Sequence, residues 1–369
     1  SLREANLCGE INVALEVADW TRIESAVDIS VFNTHLGDVD SIAQALDGFD
    51  IVVAMRERTP FPRQLLERLP KLSLLVTTGM RNLAIDTAAA RELGIDVCGT
   101  PMLGYPAAEH TWALILALVK QVSAEDQVMH QGGWQRGLST GLQNNTLGII
   151  GLGKLGAQVA KVGQAFGMKV QAWSANLTSE RCAECGVVRV ELNELLSTSD
   201  IVTVHLVLSD RTRGLIGTDE LAQMKSTAYL VNTARGPIVQ ETALIAALQN
   251  GTIAGAGLDV FVEEPPPADH PLLAHERVIC TPHLAASTKE AQASVALQVA
   301  EQVGEVLMDK VIRNAVNVPS VEPEVYKILR PFLNLAERMG RIQAQMSEGQ
   351  RERIPVECRG DVTAYPSSS

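Results

Sequence analysis

Three side chains spread over the second half of the chain have the chemistry to act together on a carbonyl: Arg235 in VNTARGPIV, Glu264 in DVFVEEPPP and His283 in RVICTPH. An arginine just past an apolar stretch needs an anionic partner, and a substrate carboxylate would supply one. A carboxylate beside a histidine favours the imidazolium, so the ring can give a proton to an emerging alkoxide and take it back in reverse. Taken singly, a strand-end histidine, an arginine after a strand and a glutamate before proline are ordinary structural residues. Their joint placement at strand ends of one sheet, where ligands of open parallel sheets bind, is what points to chemistry.

The set lacks a hydride donor, and GLGKLG offers a place for one. Gly151, Gly153 and Gly156 directly follow the strand-like TLGII and open a helical run, the context in which three glycines hold a dinucleotide. Gly151 would permit the tight turn, Gly153 the approach of a pyrophosphate and Gly156 the packing of helix on strand, with the helix N-terminus facing the anion. The acid expected on the ribose hydroxyls is missing: the residue after the next strand is Ser174, in VQAWSANLT. Without that charge, rejection of a 2'-phosphate weakens. NAD is the expected cofactor and NADP is left open; Arg181, the nearest cation, could serve a 2'-phosphate if its loop folds back, but reads rather as a solvated helix residue.

Those residues need two sheets to position them. From residue 27 to 104, apolar runs (VDISVF, DIVVAM, LSLLVTTG, IDVCGT) alternate with helical ones, a βαβ rhythm that implies a parallel sheet buried on both faces. Its first strand is expected near residues 5 to 16, although ANLCGEINVAL is broken by Gly9, Glu10 and Asn12, and INVALEVA reads as strand or early helix. A single long helix is expected from Ala107 to Gln131. A second βαβ series follows from 146 to 283, reading as a doubly wound sheet. Residues 284 to 312 form an amphipathic helix able to return the chain to the first domain, which makes that domain discontinuous. Beyond Val318 come helical segments and one strand-like run, RIPVECRG, an incomplete module because a lone strand leaves its backbone groups unpaired.

Composition agrees with this layout. At 369 residues the chain is too long for one core. A net charge of -12 without clustered Lys and Arg disfavours nucleic acid as a partner. The most apolar run, WALILALV, is far short of the roughly 20 residues of a membrane span, and with no signal peptide the protein is expected in the cytoplasm. The six cysteines are scattered, and the CxxC of Cys182 and Cys185 has no second ligand pair at metal spacing, so no metal site and no redox role is assigned.

GLGKLG, VNTARGPIV, GLDVFVEEP and TPHLAAST resemble, in order and spacing, the D-isomer-specific 2-hydroxyacid dehydrogenase family over roughly residues 20 to 318. The resemblance implies an α/β protein with a Rossmann cofactor domain (105–284) inserted into a discontinuous flavodoxin-like substrate domain (1–104 and 285–318), followed by a truncated extension (319–369). It implies a homodimer built around the helix from Ala107, and the family's catalytic roles on Arg235, Glu264 and His283. Cofactor contacts are expected at Gly151, Gly153, Lys154, Leu155, Gly156, Ser174, Val207, Thr233, Ala234 and Asp259, the last matching the position that holds the nicotinamide carboxamide. Thr78, Gly79, Met80 and Arg81 match the loop whose backbone N–H groups bind the substrate carboxylate, with Arg81 standing where Gly is common. Arg58 is a further candidate for the substrate, a small 2-hydroxy or 2-keto acid.

Two branches of the family compete for that substrate. VAMRERTP, LLVTTGMRN and WSANLT are similar to D-2-hydroxyacid dehydrogenases of unspecified substrate, whereas HLAASTKEAQ through NVPSVEPEVYKILRPFLNLAERMG is similar to long-form D-3-phosphoglycerate dehydrogenase of serine biosynthesis. The regulatory domain of that long form is not expected here, nor is feedback through it. An NADH-sensing corepressor-like binding protein on the same fold is the reading from another class.

Overall fold

The computed structural model describes residues 2–7, 20, 27–32, 36–55, 58–80, 82, 84–309 and 312–317, with 332, 335, 338 and 339. INVALEVA and nearly all of 319–369, including RIPVECRG, lie outside the described residues, as do Arg56 and Arg81. The chain divides into two compact units, 1–102 with 292–369, and 103–291. The division thus falls after the start of the last helix, some residues beyond the expected boundary at 284.

Among the described residues the first unit holds five parallel strands: Leu2–Leu7 (β1), Val27–Val31 (β2), Ile51–Ala54 (β3), Leu74–Thr77 (β4) and Asp96–Gly99 (β5), in the order β2-β1-β3-β4-β5. This is the flavodoxin-like order. Successive residues of β3 feed opposite faces, as the two-residue strand period requires. Val52 and Ala54 pack with residues of Val39–Ala45 (α1), Arg63–Leu66 (α2) and Thr87–Glu92 (α3). Ile51 and Val53 pack under Ala296, Val299 and Val303 of the last helix. The first strand ends where the sequence expectation has it begin: polar letters in LREANL hide a strand paired on both sides, with β2 and with β3.

The second unit begins with Tyr105–Lys120 (α4) and Val122–His130 (α5), two helices where one was expected. The break at Gln121, φ 55, has a nonlocal cause. The Val119 carbonyl, which would accept from the next helical turn, accepts instead from Thr140 N–H at 2.8 Å, and Lys120 Nζ caps the Thr140 carbonyl at 2.8 Å. Seven parallel strands follow: Thr146–Ile150 (β6), Lys169–Trp173 (β7), Val188–Arg189 (β8), Ile201–Val204 (β9), Tyr229–Asn232 (β10), Gly255–Leu258 (β11) and Val278–Cys280 (β12). Their order, β12-β11-β10-β9-β6-β7-β8, is that of a doubly wound dinucleotide fold, with the chain reversing direction between β6 and β9. Lys154–Ala165 (α6) and Ser179–Cys185 (α7) pack with α4 on one face; Leu192–Thr198 (α8), Thr218–Gln223 (α9) and Glu241–Gln249 (α10) cover the other. Lys289–Asp309 (α11) closes the described fold.

Among the described residues no helix is long and apolar enough to cross a membrane, and no group of three His, Cys, Asp or Glu is arranged to hold a metal. Cys98, Cys182, Cys185 and Cys280 are free thiols.

Candidate active site

The glycine turn sits at the C-terminal end of β6, at the strand-order reversal. Gly151 has φ +105 and a side chain there would stand 2.7 Å from the His205 carbonyl, so the turn tolerates no Cβ on either count. A methyl group on Gly156 would run into the Gly151 carbonyl, so α6 closes directly onto the turn. At Gly153 the added carbon would meet nothing within 4 Å. Gly153 is also the N-cap of α6, which has no side-chain cap, so the N–H groups of Lys154 and Leu155 stay free for an anion at the positive end of the helix. Close packing at two glycines and open space at the third fit a bound pyrophosphate.

Ser174 is the first residue beyond β7 and half-buried; no carboxylate stands there. Arg181, expected as a solvated helix residue, keeps 40% of its side-chain surface exposed. It folds back, Nε donating to the Leu152 carbonyl of the glycine turn at 3.4 Å while Nη1 pairs with Glu184 Oε2 at 3.1 Å. Val207, past β9, is 56% exposed and open to a ligand.

Beyond β10, Asn232 shapes the turn that presents Thr233, Ala234 and Arg235. It is 1% exposed; its Nδ2 donates to the Arg235 carbonyl at 3.0 Å and its Oδ1 accepts from Ala234 N–H at 3.0 Å. Thr233 is buried against Thr111 of α4, hydroxyl to hydroxyl at 2.8 Å. Half-buried Arg235 donates through Nη1 to the Ala234 carbonyl at 2.8 Å. Gly236 must be glycine, because any Cβ would strike the Phe261 backbone. The Arg235 turn and the loop carrying Glu264 are therefore in van der Waals contact.

Glu264 and His283 meet. Glu264 Oε2 lies 2.7 Å from His283 Nδ1, and Glu264 Oε1 accepts from Phe261 N–H at 2.9 Å. Burial opposes the carboxylate, but the hydrogen bond and charge of His283, the Phe261 N–H and the charge of Arg235 together hold the Glu264 pKa below its ordinary value. His283 stands three residues past β12 at φ 53, its N–H donating to the Asp259 carbonyl at 2.9 Å. The Asp259 carboxylate, expected at the nicotinamide carboxamide, is fully buried and has donors of its own. Oδ1 accepts from Thr281 Oγ1 at 2.6 Å and Leu284 N–H at 2.7 Å, Oδ2 accepts from Ala285 N–H at 2.8 Å, and His110 Nε2 is 3.2 Å away. Asn232, His110 and Thr281 escaped the sequence reading; each is polar beside an apolar run, and only the fold shows which carry a site.

In the first unit, the Thr78–Met80 turn follows β4. Thr78 N–H donates to the Ala54 carbonyl at 3.0 Å and Gly79 N–H to Thr100 Oγ1 at 2.9 Å, so two of the expected carboxylate donors have partners within the unit. Met80 is 41% exposed. Arg58 is exposed, with its N–H on the Met55 carbonyl at 3.3 Å.

Residues 112–285 match the family model described as "D-isomer specific 2-hydroxyacid dehydrogenase, NAD binding domain". The chain is 42% identical over 278 residues to a glyoxylate reductase of Aeropyrum pernix, covering 72% of this chain and 81% of the relative. It is 37% identical over 319 residues to a D-3-phosphoglycerate dehydrogenase of Synechocystis sp., covering 86% of this chain but 57% of the relative. The chain therefore spans little more than half the length of that curated relative. Among solved structures, a phosphoglycerate oxidoreductase from Vibrio cholerae superposes with a TM-score of 0.78 at 31% identity, over 84% of this chain and 100% of the other.

Proposed function

The chain belongs to the D-isomer specific 2-hydroxyacid dehydrogenase family, and from that membership we propose that it interconverts a small D-2-hydroxy acid and its 2-keto acid by hydride transfer with NAD(H). The observation that carries this reading is the 2.7 Å Glu264–His283 pair, in the same unit as the glycine turn and in a charge relation with Arg235. When bound, a reduced nicotinamide supplies the hydride to the keto carbon. Arg235 orients the substrate carboxylate and polarises the carbonyl. Glu264 takes Nδ1 of His283, leaving Nε2 to deliver a proton to the oxygen that receives the carbonyl electron pair. In the oxidative direction Nε2 takes that proton back.

NAD is the cofactor in this reading, with NADP second because Ser174 carries no charge to repel a 2'-phosphate. A phosphorylated substrate is the second reading for the acid, favoured by relatives named D-3-phosphoglycerate dehydrogenase that match 84 to 86% of this chain. The reading extends to a cytoplasmic homodimer. The homodimer is supported by the exposure of Trp134 and Leu138, 77% and 88%, on the arm after α5.

The test is oxidation of NADH and of NADPH against a panel of 2-keto acids: glyoxylate, hydroxypyruvate, phosphohydroxypyruvate and larger ones. Turnover of any member is expected. Tight NADH binding without turnover of any of them would replace the enzyme by a nucleotide-sensing binding protein.

A further inference from the structure

Glu264 can hold His283 only if its own loop is fixed, yet Phe261 to Pro265 has no regular secondary structure. Two consecutive amides of the loop go to two different carboxylates. Phe261 N–H donates to Glu264 itself at 2.9 Å, and Val262 N–H donates to Glu241 Oε1 at 2.7 Å. Glu241 is the first residue of α10, 21% exposed, and its other oxygen lies 3.4 Å from Nε2 of His270, which is 14% exposed. Nδ1 of His270 accepts from Leu272 N–H at 3.3 Å, so that nitrogen carries no proton and Nε2 carries the one that points at Glu241. The His270 ring also stands edge-on to Phe261, centroids 6.0 Å apart at 78°. The loop is thus held at Val262 by the Glu241 carboxylate and at Phe261 by the edge-on His270 ring.

We propose that Glu241 and His270 are positioning residues that brace the Phe261–Glu264 loop and so set the geometry of the Glu264–His283 pair. The inference rests on the reaction proposed above. A carboxylate acceptor makes the Val262 bond stronger than a neutral one would. Such fixing matters because a displacement of about 1 Å in a reacting group can cost roughly a hundredfold in rate. Neither residue needs to touch substrate to act in this way.

The test compares NADH-loaded wild type with Glu241→Ala, Glu241→Gln and His270→Ala, by amide hydrogen exchange over residues 259–265 and by steady-state kinetics against pH. Glu241→Ala should speed exchange at Val262 and lower kcat by about tenfold to a hundredfold with KM nearly unchanged. The low-pH limb of the rate profile should also move upward, because a loosened Glu264, faced by His283 and Arg235, returns toward its ordinary value. Glu241→Gln keeps an oxygen for Val262 and should recover most of the loss; His270→Ala should fall between. Unchanged exchange and kcat in a folded Glu241→Ala overturns the brace. So does a rate that falls only in step with NADH binding while the pH profile stays put, since that is a structural role alone. If wild type turns over no 2-keto acid, the proposed reaction falls; the exchange at Val262 still decides the brace, refuting it if unchanged.

Discussion

Asp259 holds His283 in a backbone conformation that histidine seldom adopts. His283 lies at φ 53, with its N–H on the Asp259 carbonyl at 2.9 Å and on the Thr281 carbonyl at 3.0 Å. The Asp259 carboxylate then takes the next two amides, Leu284 and Ala285, at 2.7 and 2.8 Å. A left-handed non-glycine residue costs on the order of 1–3 kcal/mol and persists only where its surroundings over-determine it. One aspartate, through main chain and side chain together, does so here, and the imidazole is aimed by a turn rather than by the strand before it.

Asp259→Ala should therefore unfold more easily and lose turnover. It strands the N–H groups of Leu284 and Ala285, at about 1–3 kcal/mol for each donor left buried and unpaired, while the Thr281 hydroxyl keeps His110 Nε2 at 2.9 Å. Urea unfolding should show a loss of about 1–3 kcal/mol; an unmoved midpoint would show that the bonds carry no stability. Burial works to raise the Asp259 pKa, but the His110 and Thr281 hydrogen bonds and the two amides hold it below the ordinary 3.8. Its folded value being depressed, the stabilisation is present above 3.8 and lost as pH falls through the folded value.

How much of this was legible before the fold is uneven, for a physical reason. The glycine turn and the Arg235, Glu264 and His283 positions declare themselves because each depends on its neighbours in sequence: a strand before, a helix or proline after. The flavodoxin-like and dinucleotide-binding sheets follow likewise from runs of β-branched residues. What the letters hid are partners far apart in the chain. Glu241 meets Val262 and His270, Asp259 meets Thr281 and Leu284, and Thr140 takes the Val119 carbonyl and ends α4. VSAEDQVMH continues a good helical pattern, so nothing local marks the break at Gln121.

In the proposed reaction, the roles of Arg235, Glu264 and His283 should separate in kinetics. His283→Ala should lower kcat by about a hundredfold or more while NADH affinity holds. Arg235→Ala should chiefly raise the KM for the keto acid. Because the Glu264 pKa is depressed, its grip on His283 is present above the ordinary 4.5 and lost as pH falls through the folded value, giving kcat/KM a low-pH limb. Glu264→Gln should abolish that limb; a limb that survives the substitution belongs to another group.

Gly236→Ala tests the contact between the arginine turn and the glutamate loop. The new methyl would be driven into the Phe261 backbone, so one of the two must move. Overpacking of this kind costs about 1–3 kcal/mol. The thermal midpoint should drop, and kcat should fall more than NADH binding, since the displaced groups are Arg235 and Glu264 rather than the glycine turn. Full activity in the variant would mean that the spacing of these two segments is not critical.

In the proposed reading, cofactor choice turns on Ser174. The position after β7 is where a carboxylate would accept from both ribose hydroxyls and repel a 2'-phosphate, and serine can do only the first, with a single hydroxyl. Arg181 reaches back to the Leu152 carbonyl at 3.4 Å, so a cation already lies near the glycine turn, although Glu184 shares its charge at 3.1 Å. Ser174→Asp should sharpen the preference for NADH, chiefly by weakening NADPH, and equilibrium binding of each measured by fluorescence should show the ratio rise about tenfold or more, some 1.4 kcal/mol. Arg181→Ala should act in the same direction by removing attraction instead of adding repulsion. If neither substitution moves the ratio, discrimination lies elsewhere along the cofactor and Ser174 is only a turn residue.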